Sequence, residues 1–187
     1  MPRVIGQRVM LREYRSEDFA AIRKWVNDEE TVRYLSSRYW PAHTEVDTQE
    51  FLSRMLQSSH NAYNFVIADA ETEEYIGQLD MFRVDWRQRQ GELGIVIGSK
   101  EMRHQGIGQE ALALMQRFAF RTLGMERLEI EVHMDNQPAL HCYRRAGFVL
   151  EGVKRHAFFT DGHFADLGIL SILRSEYEQR TQDAEKA

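Results

Sequence analysis

The sequence predicts a single mixed α/β domain, and three observations carry that expectation. The chain has 187 residues, the size of one compact domain at roughly 100 to 200 residues each. Its apolar share is 43%, with 11% aromatic, enough to offset the entropy of ordering and to exclude a mostly disordered protein. The third observation is rhythm: three strand-like runs in succession give way to alternating helix and strand, which requires a sheet with both antiparallel and parallel neighbours.

Taken in order, residues 4–12 pattern as a strand. Ser16 stands where a cap is needed for a helix whose Phe19, Ile22, Trp25 and Val26 form one stripe. Residues 28–35 suggest a short second helix. Thr44 with Asp47 makes a capping-box-like start for a third, carrying Phe51, Leu52, Met55 and Leu56. These apolar faces need a sheet to cover. Residues 63–68 and 75–84 are β-rich runs joined by an acidic turn, and 92–97 follow a polar loop, so three antiparallel strands are expected. Residues 108–123 then read as a helix, 127–133 as a strand and 138–145 as a helix, before two last strands that turn at Asp161-Gly162. The domain is expected to span residues 1–175, leaving 176–187 as a tail too polar to pack.

Charge and cysteine content narrow the function. Lys and Arg total 24 against 29 Asp and Glu, a net charge of -5. With no long like-charge block, this argues against an electrostatic grip on nucleic acid or an anionic membrane. The single cysteine, Cys142, permits neither an internal disulfide nor a multi-thiolate metal site, so a reducing, cytoplasmic setting is expected. The first residues lack a signal-peptide core, and no stretch approaches the roughly 18 apolar residues of a membrane span. His104, His141, His156 and His163 show no ligand spacing, so no metal is expected. Cys142 has no readable His and Asp partners and is assigned to packing rather than to a covalent intermediate.

The most informative stretch is Arg103-His104-Gln105-Gly106-Ile107-Gly108. It precedes a helix with Ile107, Ala111, Leu112, Met115 and Phe118 on one face. A helix start offers unpaired N–H groups and a positive dipole end, and glycines let those donors approach a phosphate closely. The spacing fits neither the P-loop nor the three-glycine dinucleotide fingerprint, so either another phosphate-bearing cofactor binds here or the glycines only make a tight turn. A second motif is Asn136-Gln137-Pro138-Ala139-Leu140-His141-Cys142-Tyr143-Arg144-Arg145-Ala146-Gly147-Phe148. There, Pro138 suits a first helical turn and Gly147 a helix stop.

Together the two motifs resemble the GNAT superfamily of N-acetyltransferases: Arg or Gln, two residues, Gly, any residue, Gly or Ala, and later Asn before a helix that bears Tyr and ends Gly-Phe. The segment from Asn27-Asp28 to Tyr34 is most like the ribosomal-protein N-terminal and spermidine acetyltransferase branch. The resemblance implies a largely antiparallel sheet with helices on both faces and two parallel strands that splay around acetyl-CoA. It puts the pyrophosphate on the amides of Arg103, His104, Gln105, Gly106, Ile107 and Gly108, and the pantetheine amides on the backbone of Val96, Ile97 and Gly98. Alternation agrees, with Leu93, Ile95 and Ile97 on one strand face and Glu92, Gly94 and Val96 on the other.

Direct acetyl transfer needs a neutral amine and a proton for the departing thiolate. Tyr143, a phenol protonated at neutral pH, is the candidate acid. Glu92 is the candidate base, a substrate-amine anchor or a solvated strand residue, and Asn136 binds the cofactor or closes its turn. Glu129, Glu131 and His133 line the cleft or meet water, with water favoured. Trp25 and Phe51 read as core, while Tyr39 and Trp40 are open candidates for the acceptor site. The expected acceptor is a primary amine of a small molecule (polyamine, amino sugar or similar) or a protein N-terminus, and a homodimer is plausible by resemblance. Asp28-Glu29-Glu30 favours a polyamine, whereas Arg83, Arg87 and Arg89 favour an anionic amino sugar or the cofactor phosphates. The competing reading is a non-catalytic acyl-CoA sensor or partner-binding module, which needs no Tyr143.

Overall fold

The computed structural model describes residues 3–57, 62–160 and 162–186, the side chain of residue 38 excepted. Asp161 of the expected last turn lies outside the described residues. The chain opens on a hairpin rather than one strand: β1 (Val4–Ile5) and β2 (Val9–Arg12) pair antiparallel. The break falls at Gly6, whose amide donates to the Val9 carbonyl at 2.9 Å. A Cβ on Gly6 would sit 2.7 Å from both that carbonyl oxygen and a Glu110 carboxylate oxygen, so only glycine fits the turn.

Helix α1 (Phe19–Val26) buries Ile22, Trp25 and Val26, as its stripe requires. Ser16 does not cap it. The chain enters through a 3-10 turn, Ser16–Asp18, and the acid that fixes the entry is Asp18. Its carboxylate accepts the Arg15 amide at 2.8 Å and both terminal nitrogens of Arg12 at 2.7 and 3.0 Å. Helix α2 (Glu29–Val32) is shorter than its pattern and is capped by Asp28, which accepts the Thr31 amide. In α3 (Glu45–Met55) the expected capping box is present, with Thr44 and Asp47 bonded reciprocally.

The three expected antiparallel strands follow as β3 (Tyr63–Asp69), β4 (Tyr75–Asp85) and β5 (Gln90–Ile97). Helix α4 (Ile107–Arg117) runs on into a π-helical turn, Phe118–Thr122. Then come β6 (Arg127–His133), α5 (Gln137–Arg145), β7 (Val149–Thr160) and β8 (His163–Leu173). Residues read as a polar tail instead form most of α6 (Arg174–Glu185). Composition hid this because the helix is held at a few points: the Tyr177 ring lies 5.1 Å from that of Phe120, and Arg180 donates to the Arg145 carbonyl.

The eight strands lie in the order β1-β2-β3-β4-β5-β6-β8-β7, antiparallel throughout except for β5 beside β6. One face packs on α4 and α5 through Phe65, Leu79, Leu93, Leu112, Met115, Leu128, Ile130 and Tyr143. The other packs on α1 and α3 through Met10, Tyr14, Ile22, Trp25, Leu52 and Val66. The mixed sheet with helices on both faces is therefore present. Arg12 and Asp18 are 2% and 3% exposed, a buried ion pair under the second face. Removing one partner of such a pair strands a buried charge, so Asp18→Ala should cost about 3–5 kcal/mol. Urea unfolding checks this, and a loss below 1 kcal/mol would mean that water replaces the pair.

Candidate active site

The site begins where two strands part. β5 and β6 pair from Gln90↔Arg127 to Leu93↔Ile130 and no further, while β5 keeps β4 as far as Ile97 and β6 keeps β8 as far as His133. Residues 94–97 and 131–133 therefore face each other without a ladder between them. Backbone groups turned into that gap need outside partners, and an extended ligand carrying its own amides would supply them. Val96, Ile97 and Gly98 lie along this edge. The Ile97 carbonyl already accepts from Arg103 Nε at 3.1 Å. Gly98 also has a packing role, since a Cβ there would fall 2.4 Å from the Trp25 ring.

Beyond β5 the chain makes the glycine loop. His104 and Gly106 have φ of 60° and 80°, and Gly106 is the left-handed N-cap of α4. The first turn of α4 closes with the Glu110 amide on the Gly106 carbonyl, so the amides of Ile107 and Gly108 have no intrahelical acceptor. Arg8 braces the loop from the hairpin, donating to the Gln105 carbonyl at 2.8 Å and to Glu110 at 3.0 Å. Glu110 also accepts the amides of Gln7 and Arg8. Burial alone would raise its carboxyl pKa, but these hydrogen bonds outweigh burial and hold it below its ordinary value. Arg103 differs from its neighbours: its amide is bonded to Lys100, and its guanidinium reaches Thr31 Oγ1 at 2.6 Å. It ties the loop to α2.

The tyrosine helix meets this loop. A side chain on Gly108 would begin 3.4 Å from Cys142 Sγ and 3.9 Å from Ile95 Cδ1, so α4, α5 and β5 converge there. Asn136 Oδ1 accepts the Ala139 amide, which commits its carbonyl to capping α5. Tyr143 is buried, and among the described residues none hydrogen-bonds its hydroxyl. Burial holds its phenol well above the ordinary value and pushes the Cys142 thiol up to about 11, so both keep their protons at neutral pH.

Glu92 projects from the sheet face opposite Tyr143, and the splay connects the two faces. Burial raises its carboxyl pKa, although Arg83 Nη1, 2.6 Å away, pulls the other way. Glu129 and Glu131 follow on β6 and are paired with Arg127 and Lys154. His133 departs from the expected contact with water: it is 4% exposed, between the rings of Tyr34 and Phe158. Alternation put it on this face but gave no sign of the lid. Phe158 gets there because β7 changes register between Lys154 and Phe158, with His156 at φ 52°. Trp25 and Phe51 pack in the core. Tyr39 leans on Trp25, and half-exposed Trp40 meets Phe158 edge-on at 5.4 Å. Asp28 and Glu30 are already paired with Lys100, and Arg83 with Glu92. Each cue to the acceptor is thus partly neutralised within the protein.

A splayed parallel pair, a left-handed glycine at a helix start and α5 beside them leave open strand edges and unpaired first-turn amides that an extended, phosphate-bearing carrier would bond. The protein-family model described as "Acetyltransferase (GNAT) domain" matches residues 8–149. The chain belongs to that family. It is 31% identical over 121 residues to a spermidine N(1)-acetyltransferase of Vibrio cholerae, covering 63% of this chain and 67% of the relative. With the Escherichia coli spermidine N(1)-acetyltransferase it shares 25% identity over 169 residues, 90% of this chain and 88% of the relative. A crystal structure of the Vibrio cholerae spermidine N-acetyltransferase with CoA and spermine superposes with a TM-score of 0.81 at 23% identity, covering 92% of this chain and 99% of that one. The protein is thus an N-acetyltransferase with acetyl-CoA as co-substrate, and the unpaired strand edges and first-turn amides fit that molecule. Among the described residues no helix is long and apolar enough to cross a membrane, and no cluster of three or more His, Cys, Asp or Glu is placed to hold a metal.

Two predictions follow from this geometry. Acetyl-CoA at a hundredfold excess over Kd should add about 2.7 kcal/mol of stability. Gly106→Val should abolish the resulting melting shift, because a branched residue disfavours the left-handed cap; equal shifts in variant and parent would refute the phosphate loop. Glu92 carries the opposite sign. A raised carboxyl stabilises the fold below its ordinary value of 4.5 and loses that contribution as pH rises through its native value. Glu92→Gln should therefore melt above the parent at pH 7, the gap closing below pH 4.5. A lower melting temperature at pH 7 would mean that the Arg83 pair outweighs burial.

Proposed function

We propose that the protein transfers acetyl directly from acetyl-CoA to a primary amine of a small aliphatic polyamine. The observation that carries the reading is the convergence of the glycine loop, the Tyr143 helix and the open edges of β5 and β6 on one cleft, with carboxylates on its far side. Bound acetyl-CoA supplies an activated acyl thioester whose sulfur needs a proton as it leaves. The amides of His104 to Gly108 would hold the pyrophosphate and the edge from Val96 to Gly98 the pantetheine arm. Burial keeps Tyr143 protonated until a thiolate departs beside it, and the phenol would then be the donor to sulfur. Asn136 orients this group by capping α5.

On the acceptor side, Glu92, Glu129 and Glu131 supply oxygens for the protonated nitrogens of a polyamine. Glu92 is suited to relay a proton or to anchor an ammonium, and the Arg83 ion pair on Oε2 supports anchoring. Relatives that act on spermidine support the polyamine over an amino sugar or a protein N-terminus. A cytoplasmic setting and a homodimer belong to the same reading. The lone Cys142 fits a reducing compartment, and exposed Val149, Val153, Phe159 and Phe164 on the last two strands offer an apolar strip to a second copy.

Thiol release measured over spermidine, spermine, an amino sugar and an N-terminal peptide tests the substrate class. Release with the polyamines is expected. Acetyl-CoA binding without release on any amine would leave a sensor. Tyr143→Phe should keep acetyl-CoA affinity within a few-fold and lower kcat by roughly 10- to 1000-fold, since only the donor to sulfur is lost. Undiminished turnover with chemistry rate-limiting would make Tyr143 a packing residue.

A further inference from the structure

His133 is the last residue of β6, past the final pair with β5, on the face that carries Glu129 and Glu131. Continued with the same offset, the Leu93↔Ile130 register brings His133 level with Val96, at the open end of the cleft. Its side chain is more than nine-tenths buried, and Nδ1 is enclosed with no hydrogen-bond partner among the described residues. A buried nitrogen left unpaired costs free energy, and folded proteins keep such groups where something else completes them. The surroundings say what would. Phe158 meets the imidazole edge-on with centroids 3.8 Å apart, Tyr34 lies at 5.7 Å, and Trp40 backs Phe158. Aromatic walls around a lone polar nitrogen, two positions along β6 from the Glu131 carboxylate, suit a cationic N–H donor on an alkyl chain.

We propose that His133 Nδ1 takes the proton from the acceptor's ammonium group, while Tyr34, Trp40 and Phe158 hold the alkyl chain beside it. This rests on the acetyltransferase reading above and assigns the proton acceptor that it left open. One ammonium N–H bond breaks, the electron pair stays on nitrogen, and the proton moves to the imidazole and then to water. A second N–H proton is lost to water as the C–N bond forms, and water returns one to Tyr143 after its own has gone to sulfur. Glu92, already bridged to Arg83, remains the anchor.

The charged groups around His133 agree with this role. Asp135 follows it on the same strand's exit and is met by His163 from β8 at 3.8 Å, and Glu131 is paired with Lys154 from β7. Burial lowers the imidazole pKa more than Asp135 raises it, so the ring is neutral at pH 7 and its lone pair is available.

The test uses the full chain. His133→Gln should lower kcat/KM for spermidine at least 10-fold at pH 7, with the loss shrinking towards pH 9.5 as free amine becomes abundant. Its acetyl-CoA melting shift should match the parent's. In the parent without acetyl-CoA, added spermidine should shift the His133 Nδ1 resonance as its lone pair accepts an ammonium hydrogen bond, with the ring staying neutral. A variant profile that only parallels the parent's, or His133 resonances unmoved by saturating spermidine, would overturn the inference. A parent that acetylates no amine would instead defeat the reading beneath it. The resonance measurement decides the matter even where the variant fails to fold.

Discussion

Parallel pairing between β5 and β6 stops at Leu93 and Ile130, and the chemistry of the molecule follows from what keeps the strands apart beyond that point. Each strand retains its outer neighbour, so the gap is a stable feature of the sheet rather than a frayed end. On the β5 side, closeness to β4 helps: a Cβ on Gly77 would lie 2.2 Å from the Val96 carbonyl oxygen, so glycine lets β5 be drawn towards β4 and away from β6. Trp25, pressed on Gly98, fixes the far end of the same edge. Inner-edge backbone groups then lack the ladder they would otherwise make, which leaves a strand-shaped slot for a ligand.

Rigid ties position everything else around that slot. Arg8 and Glu110 join the N-terminal hairpin to the glycine loop, so the first residues of the chain brace a turn about a hundred positions later. Arg103 joins the same loop to α2 through Thr31, and Lys100 does so through Asp28 and Glu30. Exposed ion pairs are individually weak. Their value here is geometric, because together they tie the glycine loop to the segment leading to Tyr34.

Much of this was legible in the sequence, and the reasons differ by element. The strands from β3 to β6, α5 and the α3 capping box follow from local patterning, which needs no knowledge of partners. The start of α4 at Gly106 and the bounds of α5 were legible because glycine pairs, Pro138 and Gly147 punctuate a chain wherever they fall. The hairpin at Gly6 was hidden because its reason is Glu110, far along the chain. The helix in the polar C-terminal residues was hidden because single contacts of Tyr177 and Arg180 hold it. Asp28 and Glu30 looked like amine anchors until their partners Lys100 and Arg103 came alongside. His133 looked solvated because a change of register in β7, invisible to alternation, folds Phe158 over it.

Three departures from low-energy structure lie along the cleft, while others, such as Glu73 at φ 59° and the buried Tyr14 hydroxyl, lie elsewhere in the fold. His104 takes a left-handed backbone conformation, Glu92 has a carboxyl whose pKa burial raises, and His133 keeps an imidazole nitrogen without a partner among the described residues. The backbone of His104 and the unmet nitrogen of His133 each carry a cost of about 1–3 kcal/mol by general experience of strain and unsatisfied polar groups. A sequence optimised for the fold alone would place glycine at 104, a neutral amide at 92 and an apolar residue at 133. The cores on either side are built from close-packed Leu, Ile, Val, Phe and Met that need no such explanation. At the mouth of the splay the unmet hydrogen bonds are of the kind that bound molecules, and not the fold, complete.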